Sequence, residues 1–405
     1  MAGVKSRGAI LILAAVTAVC TSDLAGRGIG EIPTRSEGQG AAEFVPGAQV
    51  AGPVPGRAWA SKTPDDAGLD RRGLEAFSAG IGGRGVVVRG GYLVYAWGDP
   101  ARRGDIASAA KPIYGFFLFK AVVSRRLSSI DVDAVTYAPG LTTLNPGLGH
   151  KDRRITFRHF ATQTSGYGVT DVPRAAFDYN DWQMALFWDP LFLGVWRTSY
   201  REVDRAVLQR ELCDTIQCED APTFLAFGAE DRAGRVAISP RDFARFALLY
   251  LRGGVWNDTV LLPVAVVRES LQSPLPNSLP QTAGVPAPML PNQRTIGSTT
   301  IPDNQTDHLG GYSFMWWVNG IDRQGRRLWP DAPLDAFMAS GHGARRAAVV
   351  IPSLDLVATW NDTNISGWPA ANQALEALLA SVRSRPVAAG ATDAPHGRAS
   401  AGRAR

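Results

Sequence analysis

The sequence predicts an α/β (α+β) fold: an antiparallel sheet flanked by helices, built from both chain ends, with an all-helical subdomain inserted between them. Two observations carry that prediction. β-rich runs bounded by turn residues cluster in "GVVVRGGYLVYAW" and again in "GGYSFMWWVNG", "DAFMASGHG", "AAVVIP" and "DLVATWND", far apart along the chain. The stretch between them, from Pro112 to about residue 300, is mainly helical in pattern. At 405 residues, 45% hydrophobic and 20% charged, the chain can bury one large core or two modest ones.

The first residues, "MAGVKSRGAILILAAVTAVC", give a basic start at Lys5 and Arg7 and an apolar run from Ala9 to Val19. The run is too short to span a bilayer and suits an export signal over residues 1–20, with secretion or a periplasmic or cell-surface location as its consequence. Cys20 is the alternative, a lipid anchor, although Thr17-Ala18-Val19 matches the expected leucine-small-small pattern poorly. No later segment is apolar enough for a stable membrane span. Residues 21–60 and 385–405 are rich in Gly, Ala and Pro or in Arg, and read as a flexible linker and a basic tail.

Within residues 62–384 the elements follow in order. "TPDDAGLDRRGLEAFSAG" predicts an acidic helix start with Leu69, Leu74 and Phe77 apolar. Gly90-Gly91 turns two β runs into a hairpin. Gly80, Gly82 and Gly85 fit G-x-G-x-x-G, but a dinucleotide site runs strand, glycines, helix, and here the order is helix, glycines, strand. In "SPRDFARFALLYLRGG" Ser239 caps a helix, Pro240 opens it and Gly253-Gly254 stop it. Residues 273–308, rich in Pro, Asn and Thr, read as a long surface loop. A last helix covers about Pro369 to Ser384. Cys213 and Cys218 lack a zinc-site spacing and read as a structural bridge in an oxidising compartment.

A net charge of +5 does not imply nucleic acid, because much of the excess sits at the two ends and no basic stripe is interleaved with aromatics. There is no G-x-S-x-G elbow and no H-E-x-x-H. The informative stretch is "GDIASAAKPIYGFFLFKAVV". Only five of the 42 basic residues are lysines, and Lys111 stands at the mouth of this apolar run. Ser108 and Lys111, at i and i+3 on a helix, face the same way. A serine needs its proton removed before it attacks, and a lysine can lose its charge on burial where an arginine cannot. At a helix N-terminus Ser108 would also meet free N–H groups suited to an oxyanion. The other reading of the same residues is a helix cap beside a snorkelling lysine.

Ser108-x-x-Lys111, followed by "ITFRHFATQTSGY", "FDYNDW", "ISPRDFARFALLYLRGGVW" and "SGHGARRAAVVIP", resembles the penicillin-recognising serine hydrolases, and most of all the class C β-lactamase-like branch that includes esterases and amidases. The resemblance covers about residues 62–384 and implies a β-lactamase/transpeptidase-like fold. It also implies a nucleophile at Ser108, a lysine at Lys111 and a proton-moving tyrosine at Tyr179, in the place of the Tyr-x-Asn motif. Two positions depart from that pattern. Asp181 stands where asparagine is usual, and a carboxylate near Lys111 would hold it charged and favour Tyr179 as base. Gly341-His342-Gly343 stands where Lys-Thr-Gly is typical, which removes the lysine that would read an antibiotic's carboxylate.

His342 is then a candidate donor to substrate, Gly343 part of the strand edge, and the N–H groups of Ala344 and Ser108 the expected oxyanion pair. Trp182, Trp188, Trp316 and Trp317 are candidates for an apolar acyl pocket, or else core. His159 reads as structural and His150, His308 and His396 as loop or tail residues. The expected substrate is a small ester or amide, with no cofactor and no metal. The alternatives are a β-lactamase or D-alanyl-D-alanine carboxypeptidase, and a non-catalytic binder of penicillin-like ligands or cell-wall peptides. Oligomeric state is not legible in the sequence.

Overall fold

The computed structural model describes residues 50–383. The export signal, Cys20, most of the expected linker and the basic tail lie outside the described residues. Helix α1 (Arg71–Ile81) leads into the hairpin of β1 (Arg84–Arg89) and β2 (Tyr92–Trp97), with Gly90 and Gly91 both at positive φ in the turn. Strand β3 (Gly104–Asp105) and a 3₁₀ turn (Ala107–Ala110) precede α2 (Lys111–Val123).

The inserted block holds α3 (Phe157–Ala161), α4 (Asp181–Asp189), two π-helical segments (Pro190–Val195 and Asp204–Cys213) and α5 (Asp214–Ile216). It continues through β4 (Ala237–Ile238), α6 (Pro240–Leu251), the small hairpin of β5 (Val255–Trp256) and β6 (Thr259–Val260), and α7 (Val264–Ser270). The chain returns through β7 (Trp317–Val318), β8 (Phe337–Gly341), β9 (Arg346–Ile351) and β10 (Leu356–Asn361) to α8 (Trp368–Ala380). The block is therefore not wholly helical: β4 pairs back to β3, and β5 pairs with β6.

The main sheet is antiparallel in the order β2-β1-β10-β9-β8-β7, so strands from the two chain ends meet at β1 and β10, with Val87 opposite Ala358. Alternation along β1 explains why its sequence reads as an unbroken apolar run. Val86 and Val88 face the core shared with α2 and the inserted block, while Val87 faces a second core under α1 and α8. Leu74 and Phe77 of α1 and Leu375 and Leu378 of α8 close that second face. Helix α2 is apolar all round because it is buried on every side, from Ile113 through Phe119.

Local signals set the helix ends. Asp70 accepts from Gly73 N at 2.7 Å to start α1, and Ser239 accepts from Asp242 N at 3.1 Å to start α6. His159 completes a capping box with Thr156, its Nδ1 accepting from Thr156 N at 3.0 Å, which fits its reading as structural. Cys213 and Cys218 form the expected disulfide. No helix among the described residues is long and apolar enough to cross a membrane.

Two segments differ from expectation. "GGYSFMWWVNG" yields only the two residues of β7, because Met315 takes φ +71° in a tight turn in which Ser313 N donates to Trp316 O at 2.9 Å. That turn sends Trp316 into the first core and Trp317 into the second. Residues 50–60, the end of the expected linker, are held against the body. Val50 N donates to Leu251 O at 3.1 Å, and Arg245 of α6 and Arg252 at its C-cap donate to the carbonyls of Gly56 and Val50 at 2.8 and 3.3 Å. Partners 190 residues away leave no local periodicity to read.

Candidate active site

Asp105 starts the site: its Oδ1 accepts from Ala107 N at 3.1 Å and steers the chain into the 3₁₀ turn, where Ala107 takes φ +50°. Ala107, Ala109 and Ala110 are buried, and Ser108 alone of the four is half-exposed, at a cleft of about 480 Å³. Lys111 follows as the first residue of α2 and is 1% exposed. Its Nζ donates to Ser108 Oγ at 2.9 Å and to Asp181 Oδ1 at 3.3 Å. The same Nζ lies 4.4 Å from the centre of the Tyr179 ring.

Asp181 begins α4, and Tyr179 stands two residues earlier in a loop that Asn180 converts into a helix start by capping Gln183 N at 2.7 Å. The structure thus brings together Ser108, Lys111, Tyr179 and Asp181 from two elements 70 residues apart. Burial works to lower the Lys111 pKa, but Tyr179 and Asp181 beside it outweigh burial and hold it above its ordinary value. Burial likewise works to raise Asp181, and Lys111 with the Ser298 N–H holds its carboxylate below the usual range. Both directions favour the charged forms of the pair.

His342 lines the same cleft as Ser108, from the turn joining β8 to β9, with φ +49°. Partial cover of its ring, and then the guanidinium groups of Arg346 and Arg235, hold its imidazole below the ordinary pKa, so it is neutral at neutral pH. Gly343 and Ala344 point elsewhere. Gly343 O accepts from Gly367 N at 2.8 Å and ties the turn to the start of α8. Ala344 is fully buried in the second core, its carbonyl accepting from Trp360 Nε1 at 2.7 Å, and it does not line the cleft.

The strand residue against the nucleophile is Gly341 instead: a Cβ there would lie 3.3 Å from Ser108 N and overlap Ile106 O. Gly341, at the end of β8, is thus the strand residue that stands beside Ser108, while Ala344, the expected oxyanion partner, is not among the cleft-lining residues.

None of the four candidate tryptophans lines this cleft, and the core reading fits three of them. Trp188, Trp316 and Trp317 are buried in the core, and Trp182 donates Nε1 to Thr300 O at 2.9 Å. The lining is polar, with Arg232, Arg235, Asp303 and Gln305 among its members. Sequence reasoning missed these. Arg235 grips Asp105 with two bonds, at 3.0 and 2.5 Å, and Arg346 adds a third at 2.9 Å. Burial opposes ionisation of Asp105, and Arg235 and Arg346 override it, so the carboxylate that shapes the Ser108 turn stays charged. No local pattern announces such a triad, since its members come from β3, the loop before β4 and β9.

No family model matches the chain, and no curated protein matches it in sequence. Solved structures do. A penicillin-binding protein homologue from Caulobacter crescentus superposes with a TM-score of 0.53 at 12% identity, covering 82% of this chain and 99% of that one. A β-lactamase from Mycobacterium bovis gives 0.51 at 15% identity, covering 77% and 100%. EstCE1, a hydrolase with promiscuous acyltransferase activity, gives 0.52 at 14% identity, covering 75% and 96%. The chain has the β-lactamase/transpeptidase-like fold.

Proposed function

We propose that the protein is a serine hydrolase that cleaves a small ester or amide through an acyl-enzyme on Ser108. One observation carries this reading: the Lys111 ammonium donates to Ser108 Oγ at 2.9 Å on the wall of an open cleft. Ser108 Oγ attacks the carbonyl carbon and its proton passes to the Tyr179 oxygen, which as the phenolate is the general base. Lys111, paired with Asp181, carries positive charge, so it supplies the field while Tyr179 moves the proton.

The tetrahedral oxygen is held by backbone N–H groups at Ser108 and at the neighbouring Gly341 end of β8. Collapse expels the alcohol or amine, which takes the proton back, and water then releases the acid by the same steps in reverse. We also place the protein outside the cytoplasm, a reading that the Cys213–Cys218 disulfide supports.

The test is the intact mass of the protein and of Ser108→Ala after exposure to a fluorophosphonate. One adduct on the native protein that disappears in the variant is the expected result. A folded native protein that takes no adduct favours the non-catalytic binding module. Turnover of a chromogenic cephalosporin, lost in Ser108→Ala, would move the substrate to β-lactams despite the missing third-motif lysine.

A further inference from the structure

Residues 296–303, part of the long loop predicted from composition, cross the mouth of the cleft as a strap. The first turn of α4 grips it at three points. Asp181 Oδ2 accepts from Ser298 N at 2.9 Å, Trp182 Nε1 donates to Thr300 O at 2.9 Å, and Asp181 N donates to Asp303 Oδ2 at 2.7 Å. Arg235 Nη1 adds a fourth tether, to Ile296 O at 2.9 Å. Gly297, Ser298, Thr300, Pro302 and Asp303 then face Ser108 and His342 across the cleft.

The chemistry of Asp181 explains the carboxylate. Its two oxygens meet two donors, Lys111 Nζ at 3.3 Å and Ser298 N at 2.9 Å. An asparagine offers one acceptor and one NH₂ group, so it would place a donor against a donor at one of these contacts. The neighbouring glycine is equally determined: a Cβ on Gly297 would overlap Asp181 Oδ2 and lie 2.8 Å from its Cγ. Strap and carboxylate fit only because that side chain is missing.

We propose that Asp181 positions two groups at once, Lys111 through one oxygen and the 296–303 strap through the other, and that the strap so held is the wall limiting which acyl groups reach Ser108. The wall rests on the serine hydrolase reading; the tether does not. Asp181 is a positioning residue here, acting through Lys111 and Ser298.

Two variants test this. Asp181→Ala should speed hydrogen exchange of the Ser298 amide by about tenfold or more, since both acceptor oxygens are removed. Gly297→Ala pushes the strap off Asp181 and should change the ratio of kcat/KM for p-nitrophenyl hexanoate over acetate by about tenfold, the scale at which a pocket wall discriminates methylenes. A folded Gly297→Ala that slows both esters equally, or alters neither, overturns the wall. Unchanged Ser298 exchange in a folded Asp181→Ala overturns the tether. If native Ser108 takes no fluorophosphonate, the hydrolase reading fails and the wall with it, while the exchange measurement still decides the tether.

Discussion

Two buried lysine–aspartate pairs sit among the described residues, and only one belongs to a candidate site. Lys151 and Asp152 are both fully buried, joined at 2.9 Å. Lys151 Nζ also donates to Gly166 O at 2.8 Å, and Asp152 Oδ2 accepts from Asn145 Nδ2 at 2.6 Å. Those partners bind three loops together. Lys111 and Asp181 make a longer contact, 3.3 Å, and each keeps a second partner at the cleft, Ser108 for the lysine and Ser298 for the aspartate. Burial of an ion pair is therefore no sign of function by itself. What separates the two is whether a nucleophile and an open space complete the set.

That contrast is sharpest under truncation. Lys111→Met should cut turnover by about 10²–10³-fold, the usual contribution of one fixed electrostatic group at the reacting centre, measured as kcat on p-nitrophenyl acetate. Lys151→Met should leave turnover per folded molecule intact and lower stability by about 3–5 kcal/mol, because Asp152 is left buried without its cation. Urea midpoints check the second value. Equal loss of activity in both variants would erase the distinction between the pairs.

Asp178 offers a finer probe. Its Oδ2 accepts from Asn180 Nδ2 at 2.5 Å and its buried Oδ1 has no partner. Burial pushes its carboxyl up to about 7, with Asp303 and Asp171 adding to the rise and the Asn180 bond opposing it. The unfolded chain releases this proton near the ordinary value of 3.8. Between those pH values the folded state binds more protons, so this group's stabilisation is present at low pH, falls as pH rises through the window and levels off above it. Asp178→Asn cannot ionise and should lose less stability than the native protein between pH 5 and pH 8. Parallel declines in the two proteins would remove Asp178 as the titrating group.

What the sequence made legible was local. Gly90-Gly91, the Ser239-Pro240 start of α6 and the three-residue step from Ser108 to Lys111 are each decided by neighbours within a turn, and each stands where expected. Asp181 was legible as an oddity whose effect on Lys111 followed from charge alone. The strap, the Gly341 approach and the grip of Arg235 on Asp105 join residues 117, 233 and 130 positions apart, such as Ser298 to Asp181. Their sequences carry no periodicity, and only the folded sheet edge brings them together. The turn at Met315 defeated a strand pattern for a related reason: two adjacent tryptophans had to enter different cores.

The clasp of α6 on residues 50–57 sets where the domain can be cut. Arg245 is fully buried, and it finds partners in Gly56 O, Arg57 O, Ile216 O and Glu219. A recombinant fragment begun at residue 62, where the β-rich body first becomes recognisable, would strip away two of these acceptors along with both carbonyls that hold Arg252. The practical boundary for expressing this domain lies at or before Val50.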